Sequence, residues 1–326
     1  MSEIDLAVLL GSVVAGAAPI VLASVGETIT EKSGVINLSL DGSILLSAMV
    51  AFVISYETQN LLLGFAGGAA VGGLIAAIVG IFSIYLGQSQ VAVGFVLTLT
   101  AKDLAYFFGN PYARLYGPQA APWPVPWLHK IPFLGELFFS HSVMIYVSIF
   151  MIFFWWWYLQ RTPLGLRIRA VGEHPQAAYA RGTNSRLAQL RYTVMGGLLV
   201  GLAGATFSLC IKPGWGRPQG AEGTGWIALA IVIFGGWHPV RVAFGAYLFS
   251  FLQVMGIQFQ GLWPSVPSQV FQVAPFPLMI FTLVLMYAAQ QGSSDAVSKA
   301  PSWLRRLAQV LSGTAPASLG KPFRPE

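Results

Sequence analysis

The length of the uncharged runs constrains this chain more than any other feature. No charged residue occurs from Leu6 to Gly26, from Thr58 to Ala101, or from Val242 to Ser294. One crossing of a bilayer takes roughly 20 apolar residues, so the second and third runs each hold two crossings with a turn between them. Charged residues make up 9% of the chain and hydrophobic ones 55%, where soluble domains carry about 25% charged residues. The fold class that follows is all-α: a polytopic transmembrane helical bundle.

Eight hydrophobic segments are legible, at 6–26, 38–56, 61–86, 90–108, 143–160, 192–211, 226–258 and 276–290. The seventh is too long for one span and is interrupted by GGWHPVR at 235–241. Pro239 there lacks a backbone donor and clashes with the preceding turn, so two shorter helical pieces are expected. The expected total is about eight to ten crossings, with broken or re-entrant helices. Residues 1–290 form the transmembrane domain on this reading, and 291–326 a tail that is partly disordered, with a short surface helix at 301–311.

The arginines set the orientation. Six arginines and one acid, Glu173, lie between Arg161 and Arg191, and basic loops stay on the cytoplasmic side. The tail, with Lys299, Arg305, Arg306, Lys321 and Arg324, reads the same way. The net charge of +6 sits in these segments beside apolar runs and forms no basic face, so nucleic acid is not an expected partner, while membrane lipids are. The link 109–140 is then outside, and its PQAAPWPVPWLHKIPF stretch is dense enough in proline to be extended and stiff. The start, MSEIDLAVLL, carries Glu3 and Asp5 and lacks the basic region of a cleavable signal.

Glycines mark close helix packing. Gly64, Gly68 and Gly72 recur at four-residue spacing before Ala76, and Gly197, Gly201 and Ala205 repeat the pattern. Small residues so placed let helix backbones touch inside a membrane bundle.

Several chemistries are excluded. No phosphate-binding P-loop and no zinc-protease motif occurs. The four histidines are scattered, and the one cysteine, Cys210, lies in an apolar run. No catalytic set, metal site or cofactor site is expected in this chain. Lys102 and Asp103 end a long uncharged run, and either serve a function as intramembrane charges or lie at the outer interface, where Lys can snorkel.

The stretch SGVINLSLDG, at 33–42, joins a polar turn to an apolar run. Glu31 and Lys32 mark the turn before it. Asn37 can bond backbone left unpaired by a break, and Asp41, four residues on, is read on the same helical face, near the start of the next span. Asn37, Ser39 and Asp41 in the first half, and Trp237 and His238 in the second, are candidates for lining a solute path. A purely structural role for Asp41, against a helix N-terminus, stands beside that reading.

The arginine-rich loop carries the strongest motif, GLRIRAVGEHPQAAYARG. Pro175 suits a first helical turn and Gly182 a stop. This loop resembles the cytoplasmic loop of permease subunits of ABC importers, in the family of ribose, branched-chain amino acid and nucleoside permeases. AAYARG is similar to part of their coupling motif, with Gln176 where that motif usually has Glu. SGVINLSLDG and GTGWIALAIVIFGGWHP resemble the two signatures of the nucleoside-type branch. The resemblance implies a loop, 161–191, whose Glu173, Gln176, Ala177, Ala178, Arg181 and Gly182 meet a separate ATPase. It further implies a second permease subunit in a heterodimer, and a periplasmic or lipoprotein solute-binding protein. ATP and Mg would sit on the ATPase, and the whole in a bacterial plasma membrane. The solute implied is nucleoside-like, with a pentose or other simple sugar as the alternative. An ion-coupled secondary carrier is the alternative from another class.

Overall fold

The computed structural model describes residues 6–262, 266, 270, 277, 313–321 and 323. Its helices are α1 (Leu6–Lys32), α2 (Leu40–Thr58), α3 (Leu61–Gly80), α4 (Gln90–Gly109), α5 (Leu134–Phe138), α6 (Val143–Arg161), α7 (Pro163–Glu173), α8 (Pro175–Ala180), α9 (Ser185–Thr206), α10 (Thr224–Phe234) and α11 (Pro239–Leu262). No strand occurs among the described residues. Among the described residues, seven spans are long and apolar enough to cross a membrane: α1, α2, α3 extended to Tyr85, α4 extended to Tyr112, α6, α9 extended to Ile211, and α11 up to Gln258. The segment at 276–290, Pro277 apart, and the surface helix expected at 301–311 lie outside the described residues.

The break expected at 235–241 is present. Helix α10 ends at Phe234, and α11 restarts at Pro239. At 11 residues, α10 is about 16 Å long, roughly half the hydrocarbon thickness of a bilayer. It is a half-helix.

Helix α1 is the central post. Every residue from Ala17 to Glu31 is buried, and α5, α6, α9, α10 and α11 all pack against it. A helix buried all round must be apolar all round, which the uncharged run to Gly26 satisfies. The buried core clusters α1 with α2, α9, α10 and α11 through residues such as Leu22, Ile29, Leu45, Phe52, Val200, Ile231 and Phe249.

The glycine spacing does what it implied. A Cβ added at Gly201 would fall on the carbonyl of Gly68, and one at Gly72 would lie 2.5 Å from the backbone nitrogen of Gly201. Gly64 turns instead to α2, against Ser55 and the carbonyl of Ala51. Gly26 and Gly196 bring α1 and α9 together in the same way, a Cβ at Gly26 lying 2.6 Å from the Gly196 oxygen. Backbone thus meets backbone along α3, α9 and α1.

The proline-rich link is more folded than expected. After an irregular stretch it makes a short 3-10 turn at Leu128–Lys130 and the helix α5. Prolines 118, 122, 124 and 126 hold the first half open, and once they end the chain can turn. Trp123 and Val125 donate to the carbonyls of His141 and Phe139 at 2.9 Å, which folds the loop back on itself and lays α5 on α1.

Part of the terminal stretch read from sequence as disordered has a defined place. Ser318 donates through its backbone to the Gly172 carbonyl at 3.0 Å, and Gly320 to the Gly34 carbonyl at 3.1 Å. The Ala317 N–H reaches Glu173 at 3.2 Å, and the Phe323 ring lies 5.9 Å from that of Tyr179. These residues, α7, α8 and the 33–34 turn occupy one end of the bundle. The start of α1, the 110–142 loop and the 212–223 loop occupy the other.

Gly201→Leu should force α3 and α9 apart and cost about 2 kcal/mol or more of stability. Thermal melting in detergent reads this, and Leu198→Ala, on the exposed side of α9, should move the midpoint far less.

Candidate functional site

The chain reverses direction just after α1. Gly34 takes φ +94°, a conformation that side-chain-bearing residues rarely adopt. The next residues run back beside α1 before α2 begins at Leu40. The Asn37 N–H donates to Glu27 Oε1 at 2.9 Å, five residues or about 7.5 Å back along the helix. The expected re-entrant start to the second span is this climb.

Side chains from several helices satisfy its backbone. Gln90 of α4 accepts from the Ile36 N–H at 2.7 Å. Thr98 donates to the Leu38 carbonyl at 2.7 Å, and Gln189 of α9 to the Ser33 carbonyl at 3.2 Å. Asn37 accepts from the Ser39 hydroxyl at 2.5 Å and from its N–H at 3.1 Å. Ser39 and Ser43 hydroxyls meet at 3.2 Å. Asn37, Ser39 and Asp41 are all buried. Asn37 precedes the helix, so it does not share a helical face with Asp41 as the sequence spacing implied.

Asp41 sits in the first turn of α2 and accepts from the Gly225 N–H, in the first turn of α10, at 3.2 Å. Two helix N-termini, each with partial positive charge, therefore meet at one carboxylate. Gly225 permits the approach, since a Cβ there would strike the Asp41 backbone.

The second break is tied to α1 as well. Trp237, at φ +56°, is buried and donates its indole N–H to Glu31 Oε2. Glu31 does not mark a surface turn, as the sequence reading had it. Helix α1 runs on to Lys32, and Glu31 is 4% exposed and Glu27 fully buried. The turn comes one residue later. Glu27 Oε2 and His238 Nδ1 are buried without a hydrogen-bond partner among the described residues. Glu27 and Glu31 thus hold the first and second breaks from one helix face, one turn apart. These two acids escaped sequence reasoning, and their signal was an i, i+4 acid pair directly after an uncharged helix-length run.

A second polar cluster lies toward the other end. The Glu222 carboxylate accepts from the Tyr106 hydroxyl, from the Gln219 N–H at 2.8 Å and from the Gly220 N–H at 2.6 Å. Burial pushes its pKa up, but these donors outweigh burial and hold it below the usual carboxylate range. Arg217 lies 4.7 Å from the Tyr106 ring centre.

The arginine-rich loop forms two short helices. Pro163 opens α7, capped by Thr162, whose hydroxyl accepts from the Gly165 N–H at 3.0 Å. Pro175 opens α8, and Gly182 ends it at φ +84° with open space around it. Glu173, Gln176, Ala177, Arg181 and Gly182 are exposed. Ala178 turns inward and is buried, unlike the other residues that the resemblance assigns to an ATPase contact. Helical geometry divides Ala177 from Ala178 by about 100°.

The family model described as branched-chain amino acid transport system / permease component matches residues 9–289. A putative glucose ABC transporter permease protein of Haloferax volcanii is 36% identical over 78% of this chain and 78% of its own length. A nucleoside ABC transporter permease protein of Lactococcus lactis is 30% identical, and a guanosine ABC transporter permease protein of Bacillus subtilis 31%, each over 82% of this chain and 88% of its own length. No solved structure matches.

Trp237→Phe keeps the ring and removes the donor to Glu31. Leaving that buried carboxyl short of its donor should cost about 1–3 kcal/mol, read as a lowered melting midpoint in detergent. If Glu31→Gln is made in the same background, the further loss should be small, because the two groups act as one unit.

Proposed function

The chain belongs to the branched-chain amino acid transport system / permease component family, and from that membership we propose that it forms half of the transmembrane path of an importer for a nucleoside-like solute. Membership makes it a multi-pass membrane permease of an ABC transporter. The solute class is carried by one observation: relatives named as nucleoside and guanosine permeases align over most of their own length. A simple sugar is the second reading, favoured by the Haloferax volcanii relative at 36% identity. The ion-coupled carrier is set aside, since the matched relatives are ABC transporter permeases.

On this proposal the energy comes from outside the chain. A separate ATPase carries ATP and Mg, and its surface receives α8. A helix of six residues, exposed and small-faced, can seat in a shallow groove. Glu173, Gln176, Ala177, Arg181 and Gly182 would make the contact, with Ala178 anchoring α8 from behind. A second permease, as a heterodimer partner, closes the path, and a periplasmic or lipoprotein solute-binding protein delivers solute. The assembly sits in a bacterial plasma membrane with the arginine-rich loop in the cytoplasm.

The signature residues would work from behind the path. Asn37, Ser39 and Asp41 would fix the first break and the meeting of α2 with α10, and Trp237 the second, with His238 next to it in the same break. Movement of the ATPase reaches them through α7 and α8, because Gly172 packs on the Lys32 carbonyl, at the end of the helix that carries Glu27 and Glu31.

Gly182→Arg is a poor probe of coupling, since any side chain at φ +84° is strained. Ala177→Arg is cleaner. It should lower solute-stimulated ATP hydrolysis of the reconstituted complex by about tenfold or more and leave the melting of the permease unchanged. Full stimulation by this variant would remove α8 from the contact.

A further inference from the structure

A carboxylate is exposed at membrane depth on α4. The span from Gln90 to Tyr112 has 23 residues, and Asp103 lies about 20 Å along its roughly 34 Å. That is inside a hydrocarbon layer about 30 Å thick. Asp103 is exposed and forms no hydrogen bond or ion pair among the described residues. It belongs to a line: Thr100, Asp103, Phe107 and Asn110 are all exposed, at spacings of three and four residues that put them on one helical face. Helix α4 also exposes apolar Phe95, Val96, Leu99 and Leu104, but α6 exposes only apolar Val143, Phe150, Phe153 and Trp157 before its terminal Gln160 and Arg161, with no charge at mid-span. Ionisable groups within a membrane face protein or water-filled space.

The line borders an open hollow of about 430 Å³ formed by Asp103, Tyr106, Phe107, Asn110 and Arg217, which a facing subunit would have to close to make an enclosed site. Its back wall is held. Tyr106 is fixed by its bond to Glu222 and by Arg217 over its ring. The Phe107 ring is 74% exposed and offers a free aromatic face. The available groups are a carboxylate acceptor, an amide, a guanidinium and an aromatic face. A carboxylate takes two hydroxyl donors at once, and a ring face takes the flat side of a base or the C–H face of a sugar.

We propose that this face of α4 lines the translocation path and binds a neutral solute bearing a vicinal diol, with Asp103 accepting from the hydroxyls and Phe107 packing on the ring. The proposal rests on the permease reading, because a second subunit opposite α4 is what turns an exposed face into a water-filled path. It also separates two roles. The buried signature residues hold the scaffold, and α4 meets the solute.

Cysteine labelling in the assembled transporter tests it. In a Cys210→Ser background, Asp103→Cys and Asn110→Cys should react with a charged, membrane-impermeant thiosulfonate at least about tenfold faster than Phe153→Cys on α6. Uridine or glucose should slow that labelling about threefold or more. Rates as slow as that of Phe153→Cys at both positions would place α4 against lipid and overturn the proposal. Fast labelling that neither uridine nor glucose slows would overturn the solute assignment. Asn110→Cys keeps the test open if Asp103→Cys fails to fold. Water access is read without ATP hydrolysis, so protected labelling in a complex with no solute-stimulated hydrolysis would uphold this site while contradicting the ATP-driven reading.

Discussion

A broken helix inside a bilayer leaves backbone groups where water cannot bond them, and this constraint organises the molecule. Each unpaired group in such a medium costs several kcal/mol. The chain breaks its helical run at 33–39 and again at 235–238, and side chains supply the missing partners. Glu27, Gln90, Thr98 and Gln189 serve the first break. Glu31 holds the second through Trp237, and Asp41 bridges the starts of α2 and α10. The polar residues of a very apolar chain are concentrated where the backbone needs them.

This explains why α1 stands at the centre. A carboxylate can be buried when its environment supplies donors, and a single helix carrying two carboxylates a turn apart can hold two otherwise unrelated segments in register. The fixed distance along the helix sets where both breaks sit. Glycines complete the arrangement, since Gly26, Gly68, Gly72, Gly196 and Gly201 allow neighbouring helices to come within backbone contact of α1 and α9.

Much of this was legible in the sequence. Uncharged runs located the spans, Pro239 located the second break, glycine spacing located the seam between α3 and α9, and Pro175 with Gly182 bounded α8. What escaped was long-range. Glu31 looked like a turn because its charge follows an apolar run, and its burial depends on an indole 206 residues away. Asn37 and Asp41 looked like one helical face because nothing local reveals that α2 starts at Leu40. Ala178 looked like part of the exposed face of a short helix, and only the packing of α8 turned it inward. Local propensity marks where an element begins, whereas side-chain direction is fixed by partners distant in the chain.

The glycine seam also bears on how the molecule can change shape. Interlocked side chains can ratchet past one another, but α3 and α9 meet backbone to backbone at Gly68, Gly72, Gly197 and Gly201, with Ala76, Ala205 and Leu198 filling the rest of the seam. A sliding motion there would separate peptide groups along several turns at once. The pair acts as a strut that resists sliding, and backbone freedom lies instead at the joints at Gly34 and Gly236, where φ is positive and the chain is not helical. Loosening the strut would weaken the transporter without making it faster, while stiffening either joint would slow it without weakening it.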